Sequence, residues 1–243
     1  MRRGEKPVNI MVTEAVQVES LDLDAQGIAR LQPNEEEAAQ GQSGKVVFIQ
    51  GALPTERVTY VITQDKARFS KAKVLDIIKP AVFRAQPKCK AFGVCGGCTM
   101  QHLDIRAQVA MKQRVLEDDL QHIAKTKPQE ILRPMGGPTW EYRHRARLSA
   151  VNRSIKKGTV LIGFHEGKSS YVADMLACEI LPKHVSDLLP ELRKLVMGLS
   201  IVDRMPQIEI AVGEPEDPQS EDPKKSKPVT ALVFRNLKPL TAD

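Results

Sequence analysis

The chain has 243 residues, 42 % of them hydrophobic, which is enough for one large domain or two modest ones with real cores. A net charge of +6 and a pI near 9.1 favour a polyanionic partner, and no run of about 18 apolar residues is present to span a membrane. Arg2, Arg3 and Lys6 precede polar and acidic sequence where a secretory signal would need an apolar core, so the expected location is the cytoplasm, where thiols stay reduced.

Residues 1–11 are basic and expected to be disordered. Val12 to Val18 alternates apolar and polar residues, the period of a half-buried strand. Gly27 is read as breaking the next run, which resumes from Ile28 to Leu31. Asn34 to Gly44 reads as an acidic loop, Lys45 to Ile49 as a strand, and Gly51 to Pro54 as a turn. Glu56 to Thr63 alternates again, and Phe69 to Ile78 closes the set. Short strands joined by glycine turns in under 80 residues predict a small β-barrel of the OB type.

Lys66, Arg68, Lys71 and Lys73 surround Phe69. Basic side chains interleaved with an aromatic ring suit phosphate contact and base stacking. The competing reading is a solvated strand face with Phe69 turned into the core, and for Phe69 that reading is preferred. The segments D-x-x-x-x-G-I-A-R, V-F-I-x-G-A-L-P-x-E and A-R-F-S-K-A-K-V resemble the TRAM domain, which implies an RNA-binding barrel over residues 12–78.

Lys79 to Lys88 is a proline-containing linker, and a domain boundary is expected there. Cys89, Cys95 and Cys98 follow in the pattern C-x5-C-G-G-C, and the fourth cysteine, Cys178, stands alone. Four thiolates suit a tetrahedral zinc or an iron–sulfur cluster. The spacing favours the cluster, because structural zinc usually takes two short C-x2-4-C hooks and only Cys95 and Cys98 form one. A disulfide pair or four ordinary buried cysteines are the remaining alternatives. Residues 88–102, K-C-x-x-F-G-V-C-G-G-C-x-x-Q-H, resemble the cluster motif of the bacterial RNA uracil-5-methyltransferases. That resemblance implies a 4Fe–4S cluster held by Cys89, Cys95, Cys98 and Cys178, the last in a C-x-I-L segment, and ribosomal RNA as substrate.

Asp104 to Lys125 has apolar residues at helical spacing, ending before Pro128. In Trp140 to Ala150, Arg143, Arg145 and Arg147 alternate with His144, Ala146 and Leu148. On a strand this places three guanidinium groups on one face, with only Glu141 nearby to neutralise them. Burying three like charges is costly, so that face must meet solvent or a polyanion such as RNA. An exposed strand with structural ion pairs is the alternative. The pattern W-x-Y-R-x-R-A-R-L is also similar to the family's central domain. Together with the barrel's lysines, these arginines are expected to form one basic surface.

Val160 to His165 reads as part of a hairpin, Val185 to Leu199 as a helix, and Gln207 to Val212 and Val229 to Arg235 as strands. Gly213 to Pro228 reads as a solvated loop. The family resemblance covers residues 12–243 and implies an α+β architecture: an OB-like TRAM barrel, then a mixed α/β iron–sulfur domain over 79–243. Family chains continue into a domain that binds S-adenosylmethionine and carries a nucleophilic cysteine and a base. No G-x-G-x-x-G-like loop is found here, and no fifth cysteine. The chain is therefore expected to be the N-terminal portion of such an enzyme, a monomer with no catalytic or cofactor-binding residues of its own. Two other functions fit the residues: a free-standing RNA-binding iron–sulfur protein, and a zinc-stabilised nucleic-acid-binding module.

Overall fold

A computed structural model describes residues 10–33, 44–213 and 228–239. Residues 1–9, residues 34–43 of the expected acidic loop and residues 214–227 of the expected solvated loop lie outside these, whereas Ile10 and Met11, expected to be disordered, belong to a strand. The chain divides into two compact units, Met1–Pro87 with Thr99–Pro134, and Lys88–Cys98 with Met135–Asp243.

The first unit is built on five strands: β1 (Ile10–Leu21), β2 (Gln26–Arg30), β3 (Val46–Gln50), β4 (Arg57–Asp65) and β5 (Phe69–Lys79). They close into a barrel in the order β1-β2-β3-β5-β4, with β1 paired to both β2 and β4 and β3 parallel to β5. This is the OB arrangement the alternating pattern predicts. Val18, Ala29, Val47, Ile49, Val58, Tyr60 and Ala72 fill the interior. Gly27 does not break the run. It lies inside β2, where an added Cβ would stand 2.9 Å from both the Ala52 carbonyl oxygen and a Val18 methyl. The chain reverses earlier, at Asp22 to Ala25, where Asp22 accepts hydrogen bonds from the backbone and side chain of Gln26.

A second, smaller core sits beneath the barrel: Leu21, Ala25, Leu53, Ala81 and Leu103, with Phe83, Met100, Ala107 and Met111 against it. Helix α1 (Ile105–His122) supplies Ala107 and Met111 and is capped by Asp104, which accepts from the Arg106 amide. Backbone hydrogen bonds from Ala85 to His102 and from Asp104 to Phe83 fasten this segment to the linker. The expected boundary at Lys79 to Lys88 puts all later residues in a second domain. Instead residues 99–134 pack with the barrel, because their apolar side chains complete its smaller core.

Glu56 ties the unit together. Its carboxylate is fully buried and accepts from Arg84 Nε at 2.6 Å, Arg84 Nη2 at 2.7 Å, and the backbone amides of Leu53 and Ala81. Burial acts to raise its pKa, but the hydrogen bonds from Arg84, Ala81 and Leu53 outweigh burial and hold it below its ordinary value.

The second unit is a four-stranded antiparallel sheet in the order β7-β6-β8-β9, made from β6 (Arg145–Arg153), β7 (Thr159–Gly163), β8 (Gln207–Gly213) and β9 (Val229–Arg235). The turn between β6 and β7 holds a short helix, α2 (Ser154–Lys157), ended by Gly158 at φ +68°. Helices α3 (Lys183–Ser186) and α4 (Leu189–Met197) cover one face. Leu148, Ala150, Val160, Ile162, Ile208 and Ile210 meet Val185, Leu189, Leu192 and Val196 there. The single helix expected from Val185 to Leu199 is thus two, with Pro190 in the first turn of α4.

Candidate functional site

The cysteines belong to the second unit and come together. Cys178 is 6 % exposed and part of the sheet–helix core, and Cys95, Cys98 and Ala91 pack against that same core. Backbone pairing explains why the loop sits there. Gly96 N–H donates to the His165 carbonyl, Gly167 N–H donates to the Val94 carbonyl, and Cys95 bridges Glu166. Gly96 and Gly97 permit the approach: an added Cβ would stand 3.0 Å from the His165 oxygen at Gly96 and 3.2 Å from the Phe164 ring at Gly97. Residues flanking Cys178 are held by a second set of bonds, Glu141 N–H to the Glu179 carbonyl and Arg143 N–H to the Ile180 carbonyl.

None of the four cysteines is in a disulfide. Burial pushes both Cys95 and Cys178 up, and the neighbouring cysteines Cys98 and Cys89 add to it. Backbone amides oppose that trend: Gly97 N–H lies 3.4 Å from Cys95 Sγ, and the amides of Ile180 and Leu181 hydrogen-bond to Cys178. An all-sulfur donor set in which two sulfurs, those of Cys95 and Cys178, receive backbone N–H bonds is chemically compatible with an iron–sulfur cluster, where such bonds tune the metal. Among the described residues, no three His, Cys, Asp or Glu side chains close around a single metal-ion position.

Two cations flank this site. Lys88 Nζ is 2.7 Å from a Glu179 carboxylate oxygen and 5.4 Å from the Trp140 ring centre. The Arg143 guanidinium lies 4.7 Å from the centre of the Phe164 ring. Arg143 therefore stands apart from the other two arginines. The strand begins at Arg145, and the expected row of three becomes two.

Arg145 and Arg147 do lie on the open face of the sheet, opposite the helices. Sequence neighbours alone do not reveal what stands beside them. Glu209 on β8 is the direct cross-strand partner of Arg147, at 3.4 Å, and it also pairs with Arg235 of β9 at 3.1 Å. Both arginines are more than half exposed, so these pairs contribute at most about 1 kcal/mol each. Three guanidinium groups against one carboxylate leave the face positive. Ser149, next along, is 3.0 Å from His165 Nε2. His165 Nδ1 is 3.2 Å from the Ser170 carbonyl oxygen, to which it donates. His165 thus links the open face to the loop that clasps the cysteines.

In the barrel, Phe69 does not enter the core. Ser70 and Ala72 point inward, while Phe69 packs edge-on against Phe48 with ring centres 5.9 Å apart. Phe48 is opposite Lys71 in the β3–β5 register, and Lys73 follows on the same outward face. Lys66 and Arg68 occupy the β4–β5 loop at its rim. OB barrels bind nucleic acid with this loop and the adjoining strand face. Phe48 is absent from the sequence-based set, although Val47 and Ile49 are apolar and alternation alone places the residue between them outside. At the β1–β2 turn the barrel is unsuited to a polyanion: Asp22 and Asp24 with Asp118 and Asp119 of α1 line a hollow of about 490 Å³.

The TRAM domain family matches residues 9–75, the barrel and its outward β5 face. The chain is 85 % identical over all 243 residues to the 23S rRNA (uracil(1939)-C(5))-methyltransferase RlmD of Polynucleobacter necessarius subsp. necessarius (strain STIR1), covering 51 % of that protein. Over its whole length this chain is RlmD-like. RlmD of Burkholderia cenocepacia (strain HI2424) is 54 % identical over 228 residues, 94 % of this chain and 45 % of that one. The chain spans about half the length of the RlmD relatives it matches. Among solved structures, a tRNA (uracil-54, C5)-methyltransferase of Pyrococcus abyssi, in complex with S-adenosyl-L-homocysteine, shares the fold. Its TM-score is 0.55 at 15 % identity, over 94 % of this chain and 48 % of that one. Among the described residues no helix is long and apolar enough to cross a membrane.

Proposed function

We propose that this chain is the RNA-recognition portion of an S-adenosylmethionine-dependent methyltransferase acting on C5 of a uridine in 23S ribosomal RNA, and that Cys89, Cys95, Cys98 and Cys178 hold a 4Fe–4S cluster. The observation that carries the RNA reading is the outward face of the TRAM barrel. Phe48 and Phe69 offer a stacking platform, and Lys66, Arg68, Lys71 and Lys73 offer charges for the backbone beside it. The similarity to RlmD supplies the RNA class. The cluster reading is supported by the all-sulfur donor set and by the amide–sulfur hydrogen bonds at Cys95 and Cys178.

S-adenosylmethionine supplies the methyl group in this chemistry. Residues of this chain bind and orient the RNA. The barrel face takes bases and phosphates, Arg145 and Arg147 take phosphates, and the cysteine site braces the sheet that presents those arginines. With all four cysteines committed to the cluster, none attacks a base, and the 243-residue chain alone transfers no methyl group. It acts as a cytoplasmic monomer.

The test is RNA affinity as a function of salt, with a structured 23S rRNA fragment as probe. Binding should weaken steeply as salt rises, because each neutralised phosphate releases counterions. The double substitution R145A/R147A should weaken binding and flatten the slope by about 0.7–0.9 for each phosphate left without its arginine. An unchanged affinity and slope would make the arginines structural, and uracil methylation by this chain alone would refute the division of labour.

A further inference from the structure

Alternation lines Arg143 up with Arg145 and Arg147, yet it precedes the strand and its surroundings belong to the cysteines. Its backbone amide bonds the Ile180 carbonyl, two residues after Cys178. Its guanidinium rests on Phe164, and the same ring packs on Gly97, whose amide donates to Cys95 Sγ. The side chain's own hydrogen bond goes to a main-chain carbonyl, that of Arg145, at 3.4 Å. Among the described residues no carboxylate pairs with it. Lys88, the other cation beside the cysteines, differs: Glu179 takes up its charge at 2.7 Å.

Resting on the cluster reading above, we infer that Arg143 is a positioning residue for the cysteine site: held on the Phe164 ring, its guanidinium is the counter-charge to the ligated thiolates and makes a cluster there easier to reduce. Four thiolates around a cluster core leave the assembly net negative, and gaining one electron makes it more so. A fixed cation nearby stabilises the reduced form more than the oxidised one, which raises the midpoint potential. The cation–π contact fixes the charge, since a guanidinium lies flat on a ring as an ammonium does not. Arg143 thereby differs in task from Arg145 and Arg147, although all three occur in one alternating stretch.

The experiment is a redox titration of the anaerobically purified 243-residue protein with an added one-electron reductant, followed by electron paramagnetic resonance, on wild type, R143M and R143K. R143M should bind as much iron as wild type, titrate at a more negative midpoint and keep the wild-type salt slope for RNA. R143K, which keeps the charge, should fall between wild type and R143M. An iron-loaded R143M with the wild-type midpoint overturns the inference, as does a salt slope that falls as it does in R145A/R147A. If R143M does not accumulate, F164L serves in its place: it frees the guanidinium from its ring, and a midpoint equal to wild type overturns the inference equally. Wild-type protein without iron would instead defeat the cluster reading itself.

Discussion

Replacing Glu56 by alanine is expected to destabilise the barrel unit by about 3–5 kcal/mol, the usual cost of removing one partner from a buried ion pair. The carboxylate accepts four hydrogen bonds, two from Arg84 and one each from the Leu53 and Ala81 amides. Alanine leaves all these donors without it, in a place that water reaches poorly. Arg84 keeps only its bond to the Gly51 carbonyl, at 2.7 Å. Glu56→Gln keeps the shape and loses the charge, so its cost should be smaller, about 1–3 kcal/mol. The pH dependence follows from the direction of the shift. The carboxyl is held below its unfolded value of 4.5, so its stabilisation is fully present above that value and is lost as pH falls through the folded pKa. E56A should lack this acid-labile contribution. The single tryptophan, Trp140, is in the other unit, so the check is hydrogen exchange at the amides of β1 to β5 rather than fluorescence. Wild-type protection in E56A would show the ion pair to be dispensable.

Cys178→Ala should lose nearly all bound iron while the sheet–helix core stays folded. Cys178 is the ligand that the cluster reading draws from outside the C-x5-C-G-G-C loop, and a cluster missing one of four thiolates is exposed to solvent and oxidant. As a core residue its loss is modest: only a sulfur is removed beside Met175, Ile180 and Leu181. Loss of iron with retained far-ultraviolet circular dichroism separates a ligand from a packing residue. Retention of full iron content would remove Cys178 from the ligand set.

Much of this is legible in the sequence because it depends on local period. The barrel strands alternate, and a residue's neighbours two positions away then share its face. The same rule explains β6, where Leu148 and Ala150 face the core and Arg145 and Arg147 face out. What is illegible depends on strands and loops distant in sequence. Gly27 looks like a turn residue until Ala52 and Val18 are brought against it. Phe69 looks like a core residue until Phe48 is placed beside it by the parallel β3–β5 pairing. Glu209 is 62 positions from Arg147 yet lies directly across from it. Arg143 reads as one of three equivalent arginines because alternation continues through it, whereas the strand starts only at Arg145. The division into units is hidden for a related reason. The apolar residues of 99–134 mark a helix but do not say which core receives it, and it is Leu103, Ala107 and Met111 that decide.

The most direct test of the account is iron and acid-labile sulfide analysis, with visible absorption, of the 243-residue protein purified without oxygen. Cys95, Cys98 and Cys178 on one core, Cys89 in the same loop and backbone amides on the sulfurs of Cys95 and Cys178 underlie the cluster reading, which predicts about four iron and four sulfide per chain and a broad thiolate-to-iron absorption band. Stoichiometric zinc with no sulfide, or a metal-free protein with full RNA affinity, would contradict it.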